Sequence, residues 1–183
     1  MRPFLKWAGG KYRIINKIKT ILPKGKRLIE PFVGSGAVFL NTDYDSYLLA
    51  DSNPDLINIF HFLKKERKQF ITYCSQFFVP YRNNVTVYLE NRDIFNTTTK
   101  LRLKAALFLY LNRHAYNGLI RYNNKGEFNA PFGAYKKPYF PEKEMLFFAA
   151  KAKNAKISHA DFLQTMQCAR TGDIIYCDPP YVP

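Results

Sequence analysis

The stretch Leu28-Ile29-Glu30-Pro31-Phe32-Val33-Gly34-Ser35-Gly36 decides the fold. It opens as a short strand, Leu28 to Phe32, that ends in the glycine turn Val33-Gly34-Ser35-Gly36. Glycine has no Cβ, so such a turn lets a ligand approach the main chain closely. Outward from it the pattern repeats. Tyr47-Leu48-Leu49-Ala50-Asp51 is a second short apolar strand, and a helix from about Ala37 is expected between the two. Asn53 is placed to cap the next helix with Pro54 at its first position. Leu56, Ile57, Ile59, Phe60 and Leu63 then recur at helical spacing. Before the stretch, Ile14, Ile15, Ile18, Ile21 and Leu22 do the same until Pro23 stops them. Beyond Pro141 come a helix at about 142–152, a strand near 155–158 and a helix near 161–168. A buried strand over Asp173-Ile174-Ile175-Tyr176-Cys177 follows. Short apolar strands alternating with helices predict a doubly wound α/β fold on a mainly parallel sheet.

Residues 80–140 break that rhythm. Two helical stretches, at about 85–95 and 100–112, lead into Asn117-Gly118. Leu119 to Asn129 then reads as a β-hairpin around Asn123-Asn124-Lys125-Gly126. The division is one α/β domain over 1–79 and 141–183, with 80–140 inserted in it.

Composition narrows the function. The chain has 183 residues, with 28 Lys and Arg against 14 Asp and Glu, a formal charge of +14. A hydrophobic fraction of 47% excludes a disordered chain, and 9 Gly, 11 Pro and 3 Cys exclude collagen and a disulfide scaffold. No apolar run reaches the roughly 20 residues that span a bilayer, and the start lacks a signal-peptide core. Cys74, Cys168 and Cys177 read as reduced, buried thiols of a cytoplasmic protein. His61, His114 and His159 are scattered, so no metal site is expected. The charge calls for a polyanion. Cations interleave with aromatics in Arg113-His114-Ala115-Tyr116 and Tyr135-Lys136-Lys137-Pro138-Tyr139-Phe140, a mixture suited to phosphates and unstacked bases.

Ligands on such sheets bind beyond the carboxyl ends of the strands, and the chemical candidates stand there. The Gly34/Gly36 turn with Asp51 about twenty residues on suits a cofactor containing a nucleoside. The third glycine of the dinucleotide fingerprint is missing, which disfavours NAD. Asp178-Pro179-Pro180-Tyr181 follows the last strand. Its prolines hold the backbone out of helix. An Asp oxygen and a proline carbonyl can then accept from one exocyclic amine while Tyr181 stacks on the ring. At the start, Phe4-Leu5-Lys6-Trp7-Ala8-Gly9-Gly10-Lys11 carries the single tryptophan, a flexible Gly-Gly and two lysines that can face an anion.

In this order, FLKWAGGK, EPFVGSG, LLAD, LNRHAYNGLIRYNNKGEFNAPFG and YCDPPY resemble the Dam-type DNA adenine-N6 methyltransferases, the D12 class, over essentially the whole chain. The resemblance implies S-adenosylmethionine as cofactor and double-stranded DNA as partner, with GATC as the methylated site, and no metal and no membrane. Trp7, Lys11, Asp51 and Asp178 would line the cofactor, with Glu30, Phe32, Gly34 and Gly36 at its methionine part and Asp161 and Phe162 at its adenine. Asp178, Pro179, Pro180 and Tyr181 would be catalytic. Residues 80–140 would be the target-recognition part, with Lys6, Tyr116, Asn117, Arg121, Tyr135 and Lys136 on DNA. The implied sheet order is 3-2-1-4-5-7-6, of which this chain supplies 3-2-1-4; the fourth strand becomes an exposed apolar edge.

Two departures stand out. Phe132-Gly133-Ala134-Tyr135 has Ala134 where close relatives usually carry Arg, which removes a phosphate or base-edge contact beside Lys136 and Lys137. The chain also stops at Val182-Pro183, directly after the last motif, as a partial sequence would. Two alternatives follow: a DNA-binding fragment without catalysis, or an amino-methyltransferase acting on RNA or protein. A monomer is the simplest oligomeric state.

Overall fold

A computed structural model gives the structure of the protein and describes residues 1–179. Strand β1 (Arg27–Glu30) lies at the centre of the sheet and pairs in parallel with β2 (Ser46–Asp51), from Arg27 opposite Ser46 to Glu30 opposite Leu49. On its outer side β2 pairs in parallel with β3 (Ala155–His159), and β1 pairs in parallel with β4 (Ile174–Ile175). The order is β3-β2-β1-β4, as expected. Consecutive residues Leu28, Ile29 and Glu30 are buried, as are Tyr47 to Ala50, so both faces of the sheet are covered.

The helices are α1 (Ile15–Ile21), α2 (Pro54–Glu66), α3 (Lys68–Ser75), α4 (Val85–Thr97), α5 (Leu101–His114), α6 (Glu142–Lys151) and α7 (Phe162–Met166). Asn53 does cap α2, its side chain accepting from the N–H groups of Asp55 and Leu56 at 3.0 and 3.1 Å. Helix α5 is buried on every side from Ala105 to His114, because α2, α3 and α4 all pack against it. Residues of the 80–140 stretch share one apolar cluster with the sheet helices, and Tyr122 donates to Asp55 at the start of α2 at 2.8 Å. Phe148 sits between Phe4, Phe39 and Phe60, with ring centroids 5.3, 5.5 and 4.5 Å away.

Several expectations are corrected. No α-helix starts at Ala37: Gly34 and Gly36 take positive φ, and the chain makes only a short 3-10 turn at Phe39–Asn41 that drops Phe39 and Leu40 into the core. The hairpin is present but short: Tyr122 and Phe128 form one antiparallel bridge, flanked by Asn123 N–H to Glu127 carbonyl and Asn129 N–H to Arg121 carbonyl at 2.9 Å each, and the Asn123 side chain holds the turn by accepting from Lys125 and Glu127 N–H. The last strand is shorter than expected and half-open, with Ile175 38% exposed at the sheet edge. Cys168 and Cys177 are exposed; only Cys74 is buried. Helix α3 and a 3-10 turn at Pro80–Arg82 add to the expected elements. No helix among the described residues is long and apolar enough to cross a membrane.

Candidate cofactor cavity and nucleic-acid face

Because the strands run parallel, Glu30 at the end of β1, Asp51 at the end of β2 and Asp178 after β4 emerge on the same edge of the sheet. Together with Trp7, Lys11, Phe32 and Gly34 they line a cavity of about 510 Å³, a size typical of small-molecule sites. Asp51 shapes the glycine turn: its Oδ2 accepts from Gly34 N–H at 3.0 Å and its Oδ1 from Asn53 N–H at 3.0 Å. Burial pushes its carboxyl above the usual range, partly offset by the N–H groups of Asn53, Gly34 and Ser52 and by nearby His159.

Gly34 has φ +49, and a Cβ there would stand 2.9 Å from Trp7 Nε1. Trp7 therefore closes on the bare glycine. Gly34→Ala adds left-handed strain of about 1–2 kcal/mol and displaces the indole. The expected result is a cofactor affinity lower by about tenfold or more, read by calorimetry.

Lys11 and Asp178 form an ion pair at 2.6 Å, with 16% and 23% of their side chains exposed, and Lys11 Nζ also donates to Gly9 carbonyl at 2.8 Å. Glu30 is 2% exposed and its Oε1 has no hydrogen-bond partner. Burial pushes its carboxyl up to about 8; a backbone hydrogen bond from Phe39 opposes the rise and the charge of Asp178 adds to it. The folded chain thus keeps a proton that the unfolded chain releases above its ordinary value near 4.5. Stability is therefore expected to fall as pH rises from about 4.5 to about 8. Thermal melts across that window should show the slope, and Glu30→Gln should flatten it.

Phe32 extends the wall, its ring stacked on Phe162 at 5.6 Å. Phe162 itself is 43% exposed and, like Asp161, stands outside the lining. Asp161 caps α7, accepting from Gln164 N–H at 2.8 Å in a capping box. Gly36, φ +74, is part of the turn and not of the lining. Pro179 lines the cavity beside Asp178, whereas Pro180 and Tyr181 lie outside the described residues. Ser35, Ser52 and Tyr176 also line it; only their places beside the glycine turn, Asp51 and the last strand pointed to them.

A second set of residues gathers next to this cavity. Lys6 Nζ lies 4.3 Å from the centroid of the Tyr135 ring, and Tyr135 OH accepts from Asn117 N–H at 2.8 Å. Asn117 has φ 52, a left-handed turn that leaves it and Tyr116 exposed, Tyr116 at 57%. Asn83 donates to the carbonyls of Tyr135 and Lys136 at 2.7 and 3.3 Å and so fixes that loop. Arg121 is exposed and aligned by Asn129, whose side chain and carbonyl accept from it at 2.8 and 2.9 Å. Ala134 is exposed and left-handed, φ 49. Contacts thus bring Lys6, Asn117 and Tyr135 together, with Tyr116 and Lys136 next to them in sequence, while Arg121 is held separately by Asn129; exposed cations, an amide and rings of this kind suit phosphates and base edges.

The lining could fit a nucleoside-bearing ligand: Asp51 at the end of β2 could take ribose hydroxyls, Gly34 allows a Cβ-free approach, Trp7 and Phe32 give an aromatic wall, and Glu30 has a buried, unpartnered oxygen. Among the described residues no group of three or more His, Cys, Asp or Glu could hold a metal ion.

Comparison with known proteins agrees. Over 182 residues the chain is 52% identical to the DNA adenine methylase of Vibrio cholerae (strain El Tor Inaba N16961), 53% to that of Serratia marcescens and 51% to that of Escherichia coli (strain K12). Each match covers 100% of this chain and 66%, 67% and 66% of the relative, so the chain spans about two thirds of their length. The sequence model of the D12 class N6 adenine-specific DNA methyltransferases matches residues 7–183. With the glycine turn, the acid that ends β2 and the Asp-Pro pair all brought to one cavity, the chain belongs to the D12 class N6 adenine-specific DNA methyltransferase family.

Proposed function

We propose that this chain performs methylation of adenine N6 in duplex DNA, at GATC, with S-adenosylmethionine as the donor. The observation that carries the reading is that Asp178 and Pro179 line the same cavity as Trp7, Gly34 and Asp51. Amine-accepting groups and the cofactor cradle therefore share one space. The family and the names of the relatives supply adenine and DNA; GATC comes from the family resemblance.

When bound, the cofactor would supply a methyl group on a positively charged sulfur; forming the N6–methyl bond breaks the carbon–sulfur bond, leaves an uncharged thioether and releases one N6 proton to water. The residues of the chain do the rest. Lys6, Tyr116, Asn117 and Arg121, with Tyr135 and Lys136, hold the duplex, and the target adenine leaves the stack. Tyr181, three residues beyond Asp178, stacks on the base. Lys11 holds Asp178 by its Oδ2, which leaves Oδ1 to accept from N6. The Pro179 carbonyl accepts the second N6 hydrogen. These two acceptors aim the nitrogen lone pair and stabilise the positive charge that grows on it. Most of the acceleration comes from positioning. Asp51 and Glu30 orient the donor, and no covalent link to the protein is needed.

The test is transfer of label from S-adenosylmethionine to a GATC duplex at low salt, with a GATC-free duplex beside it. Label on adenine N6 of the first duplex alone is the expected result. Salt-sensitive binding of the duplex without transfer would overturn the catalytic reading in favour of a DNA-binding chain.

A further inference from the structure

Asn112 is wholly buried near the end of α5, touches neither the cavity nor the exposed face, and yet spends its amide on the segment that serves both. Its Oδ1 accepts from Lys6 N–H at 2.9 Å, and its Nδ2 donates to Lys6 carbonyl at 2.8 Å. One side chain thus satisfies both main-chain groups of Lys6, as a neighbouring strand would. The second Nδ2 hydrogen goes to Gly118 carbonyl at 3.1 Å, in the turn that presents Asn117. Both donors of the amide are used.

The two halves of the clamped segment point to different tasks. Lys6 runs against Gly118, where a Cβ would stand 2.2 Å from Lys6 Cδ, and its ammonium ends over Tyr135. The next residue, Trp7, turns the other way, covers Gly34 and accepts from Gly10 N–H at 3.1 Å, ahead of Lys11. Phe4 and Leu5 are buried and fix the segment at its start. Main chain at Lys6 is therefore the point from which one side chain reaches the nucleic-acid face and the next reaches the cavity. Asn112 is what sets that point.

We propose that Asn112 is a positioning residue shared by two sites: through Lys6 it holds Lys6 and the Asn117-Gly118 turn for DNA, and Trp7 for the cofactor. The proposal rests on the function inferred above and adds that the two binding sites have one common support. A loss there reaches both ligands, whereas a loss at either face reaches one.

The experiment measures two affinities separately on the whole chain: a short labelled GATC duplex by anisotropy, and S-adenosylhomocysteine by calorimetry. Asn112→Ala is expected to weaken each by about tenfold, which is about 1.4 kcal/mol, the scale of a lost hydrogen bond. Lys6→Met should weaken the duplex and leave S-adenosylhomocysteine within about twofold, a change under about 0.5 kcal/mol. Leu109→Ala, a buried change on the same helix, lowers the melting temperature and leaves both affinities of the folded protein unchanged. That control separates positioning from mere stability. Should Asn112→Ala fail to fold, Asn112→Leu, which keeps the side-chain volume and loses all three hydrogen bonds, is expected to give the same joint loss. A variant that loses one affinity only, or neither, while the wild type binds both ligands, overturns this proposal alone. A wild type that binds neither ligand overturns the functional reading and this one with it.

Discussion

Asp178→Ala is expected to lower methyl transfer by about 10²–10³-fold, the range seen when one preorganised hydrogen-bonding group is taken from a developing charge. The carboxylate sits 2.6 Å from Lys11 and only partly in solvent. Its removal deletes an acceptor for N6 and leaves the ammonium facing the reacting nitrogen. That ammonium, no longer neutralised by the carboxylate it held, then opposes the positive charge growing on N6. Cofactor affinity should fall far less, because Asp51, Trp7 and the glycine turn remain. Asp178→Asn keeps an acceptor oxygen without the charge and should fall between the two. Single-turnover rates with bound S-adenosylmethionine give the comparison; a rate unchanged in Asp178→Ala would remove Asp178 from the chemistry.

The largest expected effect on stability belongs to Phe148→Ala. The ring is fully buried and touches Phe4 of the N-terminal segment, Phe39 of the loop after the glycine turn and Phe60 of α2. Truncating such a side chain costs about 3–5 kcal/mol. At about 2–4 °C per kcal/mol for a chain of this size, the melting temperature should drop by about 6–20 °C. Leu163→Ala, at a position 59% exposed, should stay within about 0.5 kcal/mol. Equal shifts for the two, measured by calorimetry, would mean that the aromatic cluster is not the keystone of this core.

Much of this was legible in residues whose local chemistry and tertiary role agree. Asn53-Pro54 reads as a helix start and is one. Parallel strands place whatever follows them on one edge, so Gly34, Asp51 and Asp178 had to meet. The failures have equally local causes. After Gly36 the apolar run Ala37 to Leu40 looks helical, but two positive-φ glycines aim it straight into the core and leave room for a single turn. Helix α3 escaped notice because Arg67, with φ 50, breaks the chain between α2 and α3 without the glycine or proline that usually announces it. The sequence places Glu30 at the end of a strand, as found; its burial and unpartnered oxygen belong to tertiary packing and carry no local signal. Asn112 gave no signal at all, since a polar residue amid Leu109, Tyr110 and Leu111 declares its burial but not its partners. Asp161 shows the reverse: an acid near a helix start is first of all a cap.

The three thiols are chemically unequal. Cys74 is buried, and burial pushes its thiol up, so it reacts little. Cys177 is exposed and immediately precedes Asp178. With Cys168 changed to serine, a maleimide dye would attach at one place, on the lip of the cavity. The molecule thus carries a ready attachment point for a fluorophore beside Asp178 of the cavity lining, from which ligand arrival can be timed in stopped flow without altering any lining residue.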